Sequence, residues 1–422
     1  MGERIFRNFD WMLLIPVLML IGFGLLTLYS VGHVPEELKE SVHSAESRFF
    51  YRQLIWAAVG IAALFGAMLI PFRYYESAAV LFYAVGIILL LVVLFQSPAK
   101  GTARWIVLGG FNLQPSEFMK VALICMLARF LAEKKSNPNS IRVILLSLAI
   151  VALPTLLVMK QPDLGTALVF PALLLPVLYW RGLDEGIIML FLTPVVSAFL
   201  TILSERGLWQ NRYPFPLLVF FMLVLVIAYR RRRYIFQSTL LVVLNLGVML
   251  SVPTVWNKLQ IYQQKRILDF MRPESDILGS GWQVYQSKVA IGSGGFFGKQ
   301  YLQGTQKLLA FLPERHSDFI YSVLAEELGF IGAFSVLLLF VVLILKGLYL
   351  ATQVKNRFAS IAAVGISSYF AFHVIVNIGM TIGLAPVTGL PLPFMSYGGS
   401  SMLVSCFLVG MLMNFSMRFY EY

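Results

Sequence analysis

From Gly281 to Gly329 the chain reads GWQVYQSKVAIGSGGFFGKQYLQGTQKLLAFLPERHSDFIYSVLAEELG. This stretch is polar where its neighbours are not. It contains Lys288, Lys299, Lys307 and Arg315, the run Ile291-Gly292-Ser293-Gly294-Gly295, and the cluster Glu314, Arg315, His316 and Asp318. Hydrocarbon offers no partners to polar groups, so such a segment between membrane spans either faces water or folds over a site. We take it to fold over a site, with Asp318 as the chemical centre.

What flanks it is apolar enough to lie in lipid. Of 422 residues, 59% are hydrophobic and only 13% charged, and the mean hydropathy is +0.79. No water-soluble fold needs that composition; it predicts an all-α polytopic membrane protein. Apolar runs of spanning length occur at Trp11–Val31, Gln53–Ile70, Tyr75–Phe95, Pro115–Ala132, Ile141–Met159, Leu164–Trp180, Gly186–Leu203, Tyr213–Tyr229, Ile235–Pro253, Ile320–Leu345, Phe358–Ile382 and Tyr397–Met417. They predict about twelve transmembrane helices in a single membrane domain. The first run lacks a clear small-residue cleavage site and reads as a retained helix. The net charge of +12 implies no nucleic acid, because the basic residues gather at span ends. Cys125 and Cys406 fall within apolar runs and point to neither a disulfide nor a metal site.

Lys and Arg placement sets the orientation. With the N-terminus inside, the cytoplasmic ends carry Arg4, Arg7, Arg73, Lys134, Lys135, Arg142, Arg181, Arg230 to Arg233, Lys346, Lys355, Arg357 and Arg418. The outside loops carry fewer: Lys39, Arg48, Lys100, Arg104, Lys160, Arg206 and Arg212. The Arg230–Arg233 run would be costly to translocate and is the firmest pin; binding lipid headgroups is a compatible role. The 254–319 stretch is then a large extracytoplasmic loop, and both termini are cytoplasmic.

Several outside-facing segments are too polar or too rich in glycine and proline for plain connectors. Gly101 to Ile106 leads to Gln114-Pro115-Ser116-Glu117, where Pro115 suits a helix start. Glu117 and Lys120 are three apart and share a helix face; inside a span they are expected to pair, and a structural ion pair is the plain alternative to a site role. Asp163, in Gln161-Pro162-Asp163-Leu164-Gly165-Thr166, is placed to cap the helix that follows. Pro386 to Ser401 would break helix at membrane depth, which is tolerated where backbone lines a cavity. His373 lies four residues before Asn377, and a packed, hydrogen-bonded histidine is the plain reading there. Gly292, Gly294, Gly295 and Gly298 either let backbone N–H groups approach an anion or serve tight packing. Asp318 stands at a water–lipid boundary, where partial desolvation favours taking up a proton; its plain alternative is a helix N-cap.

Together these segments resemble the SEDS family (shape, elongation, division and sporulation) of peptidoglycan polymerases. The matching pieces are Gln114 to Glu117, Gln161 to Thr166, Gln286-Ser287-Lys288, Ile291 to Gly295, Gly304-Thr305-Gln306, Leu312 to Ile320, Ala325 to Gly329 and Pro391 to Ser401. They keep the family's order and cover most of the chain. Gln161 before Pro162-Asp163, and Asn377-Ile378-Gly379-Met380 with Gly389 to Pro393, look like the elongation branch more than the division branch. The family's His-Thr-Asp is His316-Ser317-Asp318 here. The family has about ten spans, so the excess places an inserted helical pair within about 184–234 of a ten-helix core.

The resemblance implies a multi-pass protein of the bacterial cytoplasmic (inner) membrane. It implies a glycosyltransferase that polymerises lipid II into β-1,4 glycan strands during elongation. Asp318 would be the catalytic base; Lys288, Arg104, Glu117, Lys120, Ser287, Gln286 and His316 would serve substrate binding. The resemblance fixes no cofactor; a divalent cation such as Mg or Mn is a candidate to share the pyrophosphate charge. Implied partners are lipid II, the nascent strand, a class B penicillin-binding protein supplying the transpeptidase, and other elongation-complex membrane proteins. A division-type polymerase, a lipid II flippase or other transporter, and a non-catalytic scaffold are the rival readings.

Overall fold

A computed structural model describes residues 9–33, 47–95, 104–108, 111–133, 137–206, 215–231, 234–259, 281–305 and 314–418, with isolated positions 264, 268 and 270. Arg4, Arg7, Lys39, Lys100 to Ala103, Lys134, Lys135, Arg212, Arg232, Arg233, Gln306, Lys307, Leu312 and Pro313 lie outside the described residues.

The apolar runs are helices, and their ends follow from local chemistry. In chain order they are α1 (Trp11–Gly32), α2 (Ser47–Leu69), α3 (Phe72–Phe95), α4 (Pro115–Ala132), α5 (Ile141–Lys160), α6 (Leu164–Trp180), α7 (Glu185–Arg206), α8 (Phe215–Arg230) and α9 (Ile235–Lys258). Then come α10 (Trp282–Gly294), α11 (Ile320–Gln353), α12 (Arg357–Thr381) and α13 (Gly399–Met417). Asp10, Asp163 and Asn356 cap α1, α6 and α12 through their side chains, and Pro115 opens α4 at a position whose N–H would be unbonded anyway. Nine of the described helices are long and apolar enough to cross a membrane. The sequence count of about twelve needs three more: α6 and α8 are shorter, and α4 carries Glu117, Lys120 and Arg129. Two features were not anticipated. The polar stretch contains a helix, α10, and Ile106–Leu108 pairs antiparallel with Phe111–Leu113 as a small ribbon leading into α4.

The chain divides into two compact units. One comprises residues 1–181, 286–382 and 388–422. Its centre is α13, the most enclosed of the spans, with 89% of its apolar window buried. Gly410 lets α13 approach the backbone of α2 at Leu64. The other unit comprises residues 182–285 and 383–387. There α7 and α9 are joined by buried polar contacts: Ser197 Oγ donates to Asn245 Oδ1 (2.5 Å) and Asn245 Nδ2 to Thr193 Oγ1 (2.9 Å). Val224 and Ala228 of α8 pack with Leu241 of α9.

A break in α11 matters most for the site. Gly329 adopts φ 65°, ψ −162° inside an otherwise continuous helical run. Phe330 and Ile331 therefore cannot donate to the preceding turn; their amides reach Gly295 O (2.9 Å) and Phe296 O (3.3 Å) instead. The freed carbonyl of Glu326 accepts from Lys299 N at 3.0 Å. Non-helical backbone in a membrane protein survives where protein supplies the lost partners, and here the turn after α10 supplies them.

Candidate functional site

Residues 314–319 form a tight turn ahead of α11. The N-cap of α11 is Phe319, which has no capping side chain, so Asp318 sits one residue outside the cap position. Its N–H donates to Glu314 O (3.1 Å) and its carbonyl accepts from Asn377 Nδ2 (3.1 Å). The same Asn377 nitrogen donates to Leu390 O at 2.8 Å. Gly389, next to Leu390, has φ 74°, and a Cβ there would lie 3.5 Å from Asp318 Oδ2. One oxygen of the half-buried Asp318 carboxylate therefore lies close to Gly389.

The residues just before Asp318 are clamped as well. Ser396 Oγ donates to Ser317 O (2.6 Å) and accepts from Leu392 N (2.8 Å). Tyr397 N donates to His316 O at 2.9 Å. The His316 ring stacks on Phe49 of α2, with centroids 4.3 Å apart and planes 6° from parallel. Four residues along α2, Gln53 is fully buried; its Nε2 donates to Ser396 O (3.1 Å) and its Oε1 accepts from Gly398 N (3.2 Å).

One ridge of α12 serves all of this. Tyr369, His373, Asn377 and Thr381 recur every four residues and are completely buried. Thr381 O accepts from Ser287 Oγ of α10 (2.6 Å), which also meets Ser322 Oγ at 2.6 Å. His373 Nδ1 lies 3.1 Å from Pro391 O, and its Nε2 lies 3.3 Å from Lys120 Nζ. Lys120 pairs with Glu117 at 2.6 Å and lies over the Tyr369 ring, 5.6 Å from its centroid.

The candidates thus separate. Asp318 and His316 meet the 389–397 segment, and Ser287 meets the end of α12 at Thr381. Glu117 and Lys120 are 2% and 0% exposed, join each other as their spacing predicts, and meet the α12 ridge at His373 and Tyr369. Gln286 is buried on α10 and Lys288 is exposed on it. Arg104 turns elsewhere: its guanidinium donates to the carbonyls of Gln161 (3.2 Å) and Pro162. Asp163 caps α6 through Thr166, as its position predicts, and accepts from Gln114 Nε2 at 3.1 Å. In the glycine-rich run, close packing prevails at Gly298, where an added Cβ would strike the backbone of Glu327 and Gly329. Gln53 escaped sequence reasoning because it is a single polar residue at the edge of an apolar run, whereas Ser396 lies in the Pro386–Ser401 segment already singled out. Among the described residues no three His, Cys, Asp or Glu side chains converge as ion ligands.

Comparison with known proteins places this arrangement. Residues 10–214 and 215–421 match the FtsW/RodA/SpoVE family model, described as "Cell cycle protein". This chain belongs to that family, the SEDS family. Among its curated SEDS relatives is the peptidoglycan glycosyltransferase RodA of Treponema pallidum (strain Nichols), 34% identical over 437 residues, covering 97% of this chain and 98% of that protein. Stage V sporulation protein E of Bacillus subtilis (strain 168) is 36% identical over 413 residues, 96% of each. The peptidoglycan glycosyltransferase MrdB of Escherichia coli (strain K12) is 36% identical over 364 residues, 86% of this chain and 84% of that one. The SEDS fold is also seen in a solved peptidoglycan synthase complex described as coordinating polymerization and crosslinking. One chain of it superposes with a TM-score of 0.68 at 24% identity, over 98% of this chain and 99% of that one. The rod shape determining protein RodA of Thermus thermophilus superposes at 0.61 with 23% identity, over 98% of each chain.

Proposed function

We propose that this SEDS protein is a peptidoglycan glycosyltransferase that polymerises lipid II, with Asp318 as its base. The observation that carries the reading is the Asp318 carboxylate lying close to Gly389, its own backbone tied at both N–H and carbonyl. In the reaction the 4-hydroxyl oxygen of an acceptor GlcNAc attacks C1 of the donor MurNAc. The O–H proton passes to an Asp318 oxygen, the new β-1,4 bond forms with inversion, and the C1–O bond pair leaves with undecaprenyl pyrophosphate. The leaving group departs as an anion, so it needs positive charge and not an acid. Lys288, exposed on α10, is the proposed source; Arg104 has a weaker claim because its guanidinium already serves two carbonyls. His316, Ser287 and Gln286 shape the site, and Glu117 with Lys120 support it from below. A groove of about 510 Å³ lined by Gly22, Leu25, Leu26, Tyr29, Phe50 and Tyr301 is apolar and of a size to take part of a polyprenyl tail.

The same reading puts the protein in the bacterial inner membrane with both termini cytoplasmic and the 254–319 stretch outside. It gives it a class B penicillin-binding protein as transpeptidase partner and other elongation proteins as neighbours. Its placement in elongation and not division rests on the Asn377–Met380 and Gly389–Pro393 segments. An inserted helical pair within about 184–234 is consistent with the separate compact unit formed by residues 182–285.

The test is incubation of the purified chain with lipid II, with and without the transpeptidase. Glycan strands are the expected product. Their absence under both conditions defeats the reading, and reconstituted lipid II transport without polymer would make the protein a flippase.

A further inference from the structure

We propose that Asn377 is a positioning residue for the Asp318 base, acting through one amide nitrogen that ties the Asp318 backbone to the Leu390 backbone. Asn377 lies 59 residues from Asp318 and 13 from Leu390 along the chain, so the bond joins two segments that local structure does not hold together. Both partners are carbonyl oxygens, which only accept, so the amide orientation is set by them: Nδ2 must face the pair. The cost of that orientation is visible. Asn377 Oδ1 is buried with no hydrogen-bond partner among the described residues, yet a flipped amide would set oxygen against two carbonyls and strand more acceptors.

What the tie controls is the setting of the carboxylate. Leu390 follows Gly389, where an added Cβ would touch Asp318 Oδ2 at 3.5 Å. Holding both Asp318 and Leu390 from one nitrogen fixes the Asp318 turn against the Gly389–Leu390 segment, and with it the direction in which the carboxylate is presented to an acceptor hydroxyl. His373, one turn earlier on α12, holds Pro391 O in the same way. Thr381, one turn later, holds Ser287. Asn377 is the member of this ridge that touches the Asp318 turn.

This inference rests on Asp318 being the base, and its test keeps the two apart. Asn377→Asp preserves size and shape but removes the paired N–H donors; Asn377→Ala removes the side chain. Strand synthesis from lipid II is measured per mole of monodisperse full-length protein, with kcat and KM resolved. In both variants kcat is expected to fall roughly 10- to 100-fold, the scale of a misplaced catalytic group. KM should stay within about twofold, since ground-state binding is not what the tie supplies. Near-normal kcat in well-folded Asn377→Asp, or a loss wholly in KM, overturns the inference. If Asn377→Asp does not fold, Asn377→Ala decides by the same split. Asp318→Asn is run alongside. Should it lose kcat while both Asn377 variants keep it, only the positioning role falls; should Asp318→Asn itself keep kcat, the base and its positioning residue fall together.

Discussion

Lys120 Nζ faces His373 Nε2 across 3.3 Å, nitrogen to nitrogen. The other ring nitrogen, Nδ1, lies 3.1 Å from Pro391 O, which only accepts, so Nδ1 carries the hydrogen. A neutral ring then presents Nε2 as an acceptor, and Lys120 is the donor to it and to Glu117 Oε1. The tautomer follows from the partners, and it makes Glu117 the only carboxylate that the described contacts place against the buried ammonium. Glu117→Ala should therefore cost about 3–5 kcal/mol, the usual effect of stranding one half of a buried pair. Replacing both residues by apolar ones, as in Glu117→Leu with Lys120→Met, should recover much of that loss. Thermal unfolding in detergent measures both. A Glu117→Ala protein as stable and active as the parent would make the pair dispensable.

Asp318→Asn separates a base from a structural carboxylate. Asn keeps the size and the backbone ties to Glu314 and Asn377, which do not use the carboxylate. Loss of general base catalysis should lower strand synthesis by about 10²–10⁴, with folding and transpeptidase binding retained. Near-normal synthesis would return Asp318 to a structural role.

Two glycines of the same run should behave oppositely. At Gly298 (φ 83°) a side chain is strained and would strike Glu327 and Gly329 backbone, whereas at Gly292 an added Cβ meets nothing within 4 Å. Gly298→Ala should lose stability on the order of 1–3 kcal/mol or more, while helical, exposed Gly292→Ala should gain roughly 0.5–1 kcal/mol. Melting temperatures of the two variants in one detergent decide; equal effects would contradict the packing.

Asp184 gives a pH prediction. The hydrogen bond from Arg231 Nη1, at 2.9 Å, is the largest cause holding its carboxyl below the usual carboxylate range; burial opposes it. A depressed folded value means the pair's stabilisation is complete above the unfolded carboxylate value, about 3.9. It is lost as pH falls through the folded value. The site is partly exposed, so the effect is small. The melting difference between the parent and Asp184→Asn should be constant near neutrality and vanish in acid; a difference that widens in acid would reverse the assignment.

Topology is checked by single cysteines at Arg230 and Lys258 in a background lacking Cys125 and Cys406. An impermeant thiol reagent should label position 258 and not 230 in intact cells, following the charge asymmetry. The opposite pattern would invert the orientation.

Much of this was legible beforehand. The bounds of α4 and α6 coincide with their apolar runs, because Pro115 and Asp163 mark the starts chemically. Glu117 and Lys120 announced their pairing by spacing. α2 begins at Ser47, six residues before its apolar run, and Phe49 in that added stretch stacks on His316, a contact the sequence does not announce. α10 hid because its burial is tertiary: Ser287 is sealed by Ser322 and Thr381, not by its own neighbours. Along α12 the four-residue recurrence of His373 and Asn377 was visible, but what each one touches was not, since periodicity gives a face and never a partner.

The clamp on the Ser396–Gly398 turn has a consequence in time. Gln53 and Gly398 are 345 residues apart in the chain. At typical synthesis rates that is roughly 20 to 70 seconds between the two. Throughout that interval the Gln53 amide is without the partners it has in the finished fold, Ser396 O and Gly398 N. His316 and Ser317 have likewise emerged before the turn that will grip them exists. A nascent chain therefore lacks the grip on Ser317 until the Ser396–Gly398 turn has been made.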